Sequence, residues 1–185
     1  MKKQLEVSPL EFGSVGESKD LNNIGSNSYT ALKYLIENAY CIQTLIFRPL
    51  DSAMYNYKEF CTIRMRSARR SGHTTAMCKV AYEYFNKVIF LCPTIGLANR
   101  LYNTFVSLYK NEDDIIQRTS GTIITKCGGY FFGSYESLDK FRGIDCEAVF
   151  IDPSCMLKPK EEEEIYNVLG PCMLKYPQKF FVFIE

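Results

Sequence analysis

Several features are scarce in this chain of 185 residues, and each scarcity removes a class of function. Tryptophan is absent and His73 is the single histidine, so a zinc site of two cysteines and two histidines is excluded. The eight cysteines include no CxxC spacing, and we expect reduced thiols that act as small core residues. No apolar run approaches the roughly 20 residues that cross a bilayer, and the opening MKKQLEVSPLEFGS lacks the apolar core of a signal peptide. We therefore expect a cytoplasmic protein with no membrane partner.

An excess of charge of one sign is also missing. Lysine and arginine total 22 against 21 for aspartate and glutamate, so the formal net charge is +1 and a globally basic nucleic-acid coat is not expected. A local basic cluster is present at Arg64, Arg66, Arg69 and Arg70. On a strand, Arg64 and Arg66 would share one face. The cluster could bind nucleotide phosphates, DNA phosphates or a carboxylate partner, and a solvated loop with surface ion pairs explains it equally well.

What the sequence does contain is an alternation of apolar runs and amphipathic segments. The predicted strands are 61–65, 87–92, 122–126, 130–135, 147–151 and 180–185, and the predicted helices are 29–46, 73–85, 96–109 and 161–169. Solidly apolar strands favour a parallel sheet that is covered on both faces. The pattern therefore predicts an α/β protein, a three-layer α/β/α sandwich with a mostly parallel sheet. Residues 1–57 are predicted to form a lead-in with one helix and 58–185 the core, together one compact unit.

The first candidate for chemistry lies between the strand at 61–65 and the helix that follows it. A phosphate loop has the pattern G-x-x-x-x-G-K-S/T, and the corresponding window begins at Ser67 and ends with Gly72, His73 and Thr74. A helix N-terminus favours a bound phosphate, and a Thr74 hydroxyl could ligate Mg²⁺. His73 stands where the pattern has lysine, so Arg69 or Arg70 would have to supply the long cation. An ordinary helix start also explains this segment.

The second candidate is the apolar run that ends in Asp152. A phosphate-loop enzyme holds Mg²⁺ through such an aspartate, although an aspartate at a strand end is also a common turn residue. The following residue is often a glutamate that polarises the attacking water. Here it is Pro153, whose side chain can neither accept a proton nor orient water. A base would therefore have to come from Glu161–Glu164 or Glu185.

Taken together, these motifs resemble the ATPase core of the large terminase subunits that package DNA into tailed bacteriophage heads. Arg69-Arg-Ser-Gly72-His73-Thr74-Thr75 matches the family's Arg-x-x-Gly-Lys-Thr-Thr loop except at the lysine. The segments 87–105 and 128–157, with Arg142-Gly143 in the second, are similar to the family's next strand and helix and to its hairpin, Arg-Gly loop and magnesium strand. The segment 87–105 also looks like the second motif of superfamily 2 helicases.

The resemblance implies a phosphate-loop NTPase fold that uses ATP and Mg²⁺. It assigns Ser67, Ser71, Gly72, His73, Thr74 and Thr75 to the nucleotide, Thr74 and Asp152 to the metal, and Arg69, Arg70 and Arg142 to catalysis. The family also has a Ser/Thr-rich coupling motif after the last matched strand and a nuclease domain. The printed sequence shows neither before Glu185, so we expect an ATPase-like core and not a complete packaging motor.

The predicted function is therefore a phage protein linked to DNA packaging or handling, with weak or absent ATP hydrolysis because His73 and Pro153 replace the lysine and the glutamate. Whether it is an enzyme stays open at this point; if it is, it is an ATP hydrolase. The alternative is a non-catalytic regulatory protein of the same fold that binds DNA, through the arginine cluster, or a phage or host protein. The expected location is the bacterial host cytoplasm.

Two further interpretations concern surfaces. An apolar strand such as FFVFIE at 180–185 could pair with other chains and form oligomers if it lay at a sheet edge. Tyr102, Tyr109, Tyr130 and Tyr135 could stack on bases, although packing in the core or at its rim explains them better.

Overall fold

A computed structural model describes residues 24–46, 53–66, 71–109, 115–119 and 121–185. The helices are α1 (Ile24–Ile46), α2 (Ala53–Phe60), α3 (His73–Tyr84), α4 (Ile95–Leu108) and α5 (Pro159–Leu169). The strands are β1 (Thr62–Met65), β2 (Lys87–Cys92), β3 (Ile115–Thr119), β4 (Thr122–Thr125), β5 (Gly129–Ser134), β6 (Ala148–Ile151) and β7 (Phe180–Ile184). Short 3-10 segments occupy Tyr135–Phe141, Ser154–Met156 and Pro171–Met173. Within these described ranges, no helix combines the length and the apolar character that a membrane span requires.

All seven strands join one sheet in the order β1-β7-β6-β2-β5-β4-β3. The first five of these run parallel to one another, whereas β4 pairs antiparallel with both β5 and β3. The mostly parallel sheet predicted from the solid apolar runs is confirmed. The hairpin predicted between 122–126 and 130–135 is also present, as β4 and β5.

The direction of each crossover determines which face its helix covers. From β1 the chain moves across the sheet to β2 and β5, and from β5 it returns through β6 to β7. Because crossovers between parallel strands are right-handed, opposite directions place the connections on opposite faces. One face is covered by α1, α3 and α4, and the other by α2, the 3-10 segment at Tyr135–Phe141 and α5. The predicted three-layer α/β/α sandwich is confirmed.

Alternation along each central strand fills two separate apolar cores. In β2, Val88, Phe90 and Cys92 pack under α3 and α4, whereas Ile89 and Leu91 pack under α5. The same alternation in β6 and β7 explains why these strands are apolar throughout and do not alternate with polar residues. Five of the eight free cysteines are buried in the two cores, as small hydrophobic residues. They are Cys61, Cys78, Cys92, Cys146 and Cys172.

The position of β7 overturns one hypothesis from the sequence. Phe180–Ile184 lies between β1 and β6, hydrogen-bonded on both sides, and all five of its side chains are buried. A strand that already has two neighbours has no free edge to offer another chain. Oligomer formation through this strand is therefore wrong. Among the described strands, the edges of the sheet are β1 and β3.

Candidate functional site

The two candidate motifs meet above one end of the parallel sheet. Asp152 directly follows β6, and its buried side chain lies on the α3 face. Thr74, in the first turn of α3, donates a hydrogen bond from Oγ1 to Asp152 Oδ2 at 3.0 Å. In a parallel α/β sheet, the strand C-termini and the helix N-termini form the usual ligand site. The structure thus brings the predicted metal residues Thr74 and Asp152 into direct contact.

His73 lies against the other oxygen of the same carboxylate. Its Nε2 is 3.4 Å from Asp152 Oδ1, and its Nδ1 is 3.3 Å from Ser71 Oγ. The hydrogen bond to Asp152, together with the negative charge of that carboxylate, raises the pKa of His73 against the opposing effect of partial burial. Ser71, His73, Asp152 and Thr74 therefore form one continuous polar chain, in which the imidazole occupies the side of the carboxylate that Thr74 leaves open.

Gly72 sets the entry into α3. Its φ of 73° and ψ of 16° place it in the left-handed region, where glycine has no steric penalty. Glycine has no side chain to cap the helix, and the first intrahelical bond runs from the Ala76 N–H to the Gly72 carbonyl. The backbone N–H groups of His73, Thr74 and Thr75 come before that bond and have no acceptor within the helix. A phosphate at a helix N-terminus accepts hydrogen bonds from such first-turn groups.

Three of the predicted nucleotide and catalytic residues lie outside the described part of the chain. These are Ser67, Arg69 and Arg70, in the segment that leads from β1 towards Gly72. Their assignment to the phosphate loop stays a prediction. Ser71, at the end of this segment, is buried, and its carbonyl accepts a hydrogen bond of 2.9 Å from Ser28 Oγ of α1. The first part of α1 is therefore hydrogen-bonded to the chain at Ser71, two residues before α3 begins.

Arg64 and Arg66 lie on the other side of the sheet from Asp152. Arg64 forms ion pairs with Glu162 of α5 and with Glu185, and its guanidinium carbon lies 4.4 Å from the centre of the Phe183 ring. Arg66 Nε lies 2.7 Å from Glu185 Oε2. As predicted, Arg64 lies on the face of β1 opposite to the buried Ile63 and Met65, and Arg66, just after the strand, pairs with the same Glu185. Their present partners are carboxylates.

Arg142 is held locally. Its Nε pairs with Asp139 Oδ1 three residues earlier, and both side chains are largely exposed. Gly143, which follows, has a φ of 81° and nothing within 4 Å of where a Cβ would stand. Arg142 lies on an open turn, and its ion pair is with Asp139 and not with Asp152.

Two hydroxyl side chains fix the turn after Asp152, a role that the sequence did not assign to either. The Tyr135 hydroxyl donates to the Pro153 carbonyl at 2.7 Å, and Ser154 Oγ donates to the Ile184 carbonyl at 3.0 Å. Each follows the end of a strand, and hydroxyl residues at neighbouring strand ends were the signal available in the sequence. Their hydrogen bonds link β5, β6 and β7 at the end of the sheet where Asp152 lies.

The other tyrosines are packing residues. Tyr130 is fully buried and donates to the Phe85 carbonyl at 3.0 Å, and Tyr109 stacks on Tyr82 with ring centres 3.9 Å apart. Tyr102 packs edge-on against Phe132. The packing interpretation is confirmed for these three, and base stacking by the buried Tyr130 is wrong.

The donor set fits a magnesium ion and a phosphate chain. A threonine hydroxyl and a carboxylate are hard oxygen ligands of the kind Mg²⁺ takes, usually with water and phosphate oxygens completing the shell. Gly72 and the first turn of α3 provide the backbone donors. Three of the five carboxylates predicted as alternative bases have other partners: Glu185 and Glu162 pair with the arginines, and Glu161 accepts the Lys158 N–H at 2.8 Å. Among the described residues, no second carboxylate contacts His73 or Thr74.

Comparisons with known proteins place this fold. No family model matches the chain, and no curated protein matches it. The large terminase of a thermophilic bacteriophage aligns with a TM-score of 0.49 at 16% identity, over 74% of this chain and 39% of that one. The large-terminase ATPase domain of Thermus phage P74-26, in a mutant form, aligns with a TM-score of 0.50 at 12% identity, over 75% of this chain and 65% of that one.

At 12% identity, the structural likeness to the P74-26 domain shows the fold and leaves the activity open. The chain has the α/β fold of phage large-terminase ATPase domains, as the motifs predicted. It spans less than two thirds of the length of either solved chain.

Proposed function

We propose that this chain is a degenerate terminase-like ATPase-fold protein that binds Mg-ATP at the start of α3 and hydrolyses it weakly or not at all. The observation that carries the proposal is the hydrogen bond between Thr74 and Asp152. It joins two motifs that lie 78 residues apart into one pair of oxygen ligands beside a helix N-terminus. A bound Mg²⁺ would neutralise charge on the terminal phosphates.

Each described residue then has a defined task. The backbone donors of the first turn of α3 would hold phosphate oxygens, supported by the positive end of the helix dipole. Thr74 and Asp152 would exchange part of their mutual hydrogen bond for contacts to the metal. Protonated His73 would supply a single positive charge close to the helix, on a shorter arm than a lysine has.

Weak hydrolysis follows from what surrounds the metal residues. Phosphoryl transfer needs a group that orients the attacking water, and Pro153 offers no side-chain acceptor at that place. Loss of one preorganised polar group in an active site costs about 3–4 kcal/mol of transition-state stabilisation. Two such losses, at 73 and 153, would reduce turnover by several orders of magnitude even where binding persists.

The second candidate function is a regulatory protein of phage origin that uses the same fold without nucleotide. The observation that favours it is the contact between His73 and Asp152, which satisfies the carboxylate with the protein's own groups. In either form, the partner we propose is DNA, which would bind to the basic segment 64–70. The proposed place of action is the host cytoplasm. Arg64 and Arg66 would then exchange carboxylates for DNA phosphates, so the binding would weaken steeply with salt.

The experiment is a calorimetric titration of the full chain with ATP in Mg²⁺, with phosphate release followed in parallel. Thr74→Val and Asp152→Asn should each abolish micromolar binding, because the first removes the hydroxyl ligand and the second removes the negative charge of the carboxylate ligand. Thr104→Val, half-buried on α4 with its hydroxyl bonded to the Arg100 carbonyl, is the matched control and should bind as the unaltered chain does. Binding without release supports the proposal. Release at ordinary ATPase rates contradicts the degenerate form, and no heat at millimolar ATP contradicts nucleotide binding and favours the regulatory form.

A further inference from the structure

A cavity opens at the end of the sheet opposite to Asp152. It has a volume of about 240 Å³ and lies between α1, the end of α3 and the segment that leads into β7. Glu147, on its wall, precedes β6, and Asp152 follows that strand. Five residue steps of a parallel strand span about 16 Å. The cavity is therefore separate from the proposed nucleotide site, and the inference drawn from it does not depend on that site.

The walls of this cavity are mainly aromatic. Tyr40 comes from α1, Tyr84 and Phe85 from the end of α3, and Tyr176 and Phe180 from the last loop and the start of β7. Aromatic rings present a negative face, which attracts a cation within about 6 Å of the ring centre. A cavity with several such rings is suited to a positively charged organic group that also has apolar surface.

Glu147 is the charged group in this aromatic cavity. Its Oε2 accepts the Asn86 backbone N–H at 2.9 Å and its Oε1 lies 3.3 Å from Asn86 Nδ2. These two bonds fix the carboxylate, while an ionised carboxylate offers about four acceptor positions. No cation of the described residues lies within ion-pair distance of Glu147. The carboxylate is thus oriented in advance and half-buried, without a cation among the described residues, and a half-buried charge is stabilised by a counter-ion.

The size of the cavity limits the ligand. A cavity of about 150 Å³ accepts benzene, and sites for drug-sized molecules begin near about 300 Å³. A nucleotide is too large for this space, whereas a trimethylammonium or a guanidinium head with a short alkyl stem fits. A neutral ring would match the walls but would leave Glu147 without a counter-charge.

We propose that this aromatic cavity binds the head group of a monovalent organic cation, an alkylammonium or alkylguanidinium, with Glu147 as the counter-ion. Such a head group occurs on free amines and on the lysine and arginine side chains of a protein partner. The two sources share the same chemistry and differ in what is attached to the alkyl stem.

The test is an NMR titration of the unaltered full chain, followed at the amides of Asn86 and Glu147. Choline and butylguanidinium are the charged probes, and the carbon isostere of choline, which has no charge, is the matched probe. We expect saturable shifts with the cations and at least roughly tenfold weaker binding of the isostere. Equal binding of choline and its isostere would overturn the proposal, and so would the absence of shifts with every cation at tens of millimolar.

Two variants locate the binding. Glu147→Gln keeps an acceptor for the Asn86 N–H and removes the charge, so it should weaken choline binding roughly tenfold or more. Glu136→Gln, an exposed carboxylate just beyond the opposite end of β5, is the matched control and should change nothing. Unchanged choline binding in Glu147→Gln would overturn the assignment. A capped arginine that binds as well as butylguanidinium points to a protein side chain, and binding of the free cations alone points to a small amine.

Discussion

The imidazole of His73 lies 3.4 Å from the carboxylate of Asp152. The residue at the loop's cation position is therefore paired with the residue that would ligate the metal. Any metal or phosphate that enters must compete with this pair or rearrange it. The strength of the pair depends on whether His73 is protonated, so the state of the site depends on pH.

The pKa of His73 should lie above its ordinary value of about 6.5, because the hydrogen bond to Asp152 and the charge of that carboxylate favour the imidazolium. His73 is the single histidine, so its ring protons give one unambiguous NMR titration. Asp152→Asn should lower the measured pKa towards 6.5. A midpoint at or below the ordinary value in the unaltered chain would contradict the contact.

Stability should follow the same titration. A pKa that is higher in the folded state stabilises the fold fully below the unfolded value of about 6.5, and this stabilisation is lost as the pH rises through the folded value. His73→Gln should therefore be less stable than the unaltered chain at pH values near 6, and the difference should shrink above the raised pKa. Urea unfolding at several pH values measures the difference. A constant difference across that range would exclude the linkage.

His73→Lys should strengthen Mg-ATP binding about tenfold or more, because a long cation can reach the phosphates and make charged hydrogen bonds. Phosphate release should stay low, since Pro153 still provides no group to orient water. His73→Met has a similar length without the charge and should bind no better than the unaltered chain. Calorimetry with parallel phosphate assays gives both numbers; equal affinities for the lysine and methionine variants would refute the role of the charge.

The ion pair between Arg64 and Glu162 should contribute little to stability. The Arg64 side chain is 44% exposed, and exposed pairs are typically worth about 0.2–1 kcal/mol. A double-mutant cycle with Arg64→Ala and Glu162→Ala should give a coupling in that range, and it should decrease as salt is added. A coupling above about 2 kcal/mol that salt leaves unchanged would mean that the pair is effectively buried.

Gly128→Ala should destabilise the fold by about 1–3 kcal/mol or more, because the new Cβ would stand 2.1 Å from the Asn86 carbonyl oxygen. That oxygen already accepts the Gly129 N–H at 2.9 Å and is part of the backbone, so it cannot move aside easily. Gly96→Ala in the first turn of α4 is the control: its nearest neighbour would lie 3.8 Å away. Its free energy of unfolding should be unchanged or higher by up to about 1 kcal/mol. Equal urea midpoints for both variants would contradict the close contact.

Much of the fold could be predicted from the sequence, because solid apolar runs and helical periodicity reflect burial directly. The strand at 87–92 was predicted at its observed bounds, and the central strands 147–151 and 180–185 each differ by one residue at one end. The exposed edge strand β3 was missed, since four of its five side chains face solvent and leave no apolar pattern. The position of β7 in the sheet was left open because sequence order does not determine strand order.

The site was predictable in part. Thr74 and Asp152 belong to motifs whose spacing carries their chemistry, and the structure brings them together. The ion pairs of Arg64 with Glu162 and Glu185 could not be found, because they join residues far apart in the chain through surface side chains. Tyr135 and Ser154 are hydroxyl residues that follow strands, but their partners are backbone carbonyls, which the sequence does not identify.

The insertion of β7 between β1 and β6 imposes an order on folding. Residues 62–65 and 148–151 leave the ribosome before 180–184, yet neither strand gains its final neighbour on that side until β7 is in place. Non-local parallel pairing of this kind is slow to form. A nascent chain that has emerged only as far as Asp152 therefore lacks the strand that joins β1 to β6, and the proposed nucleotide site lies above the ends of these strands.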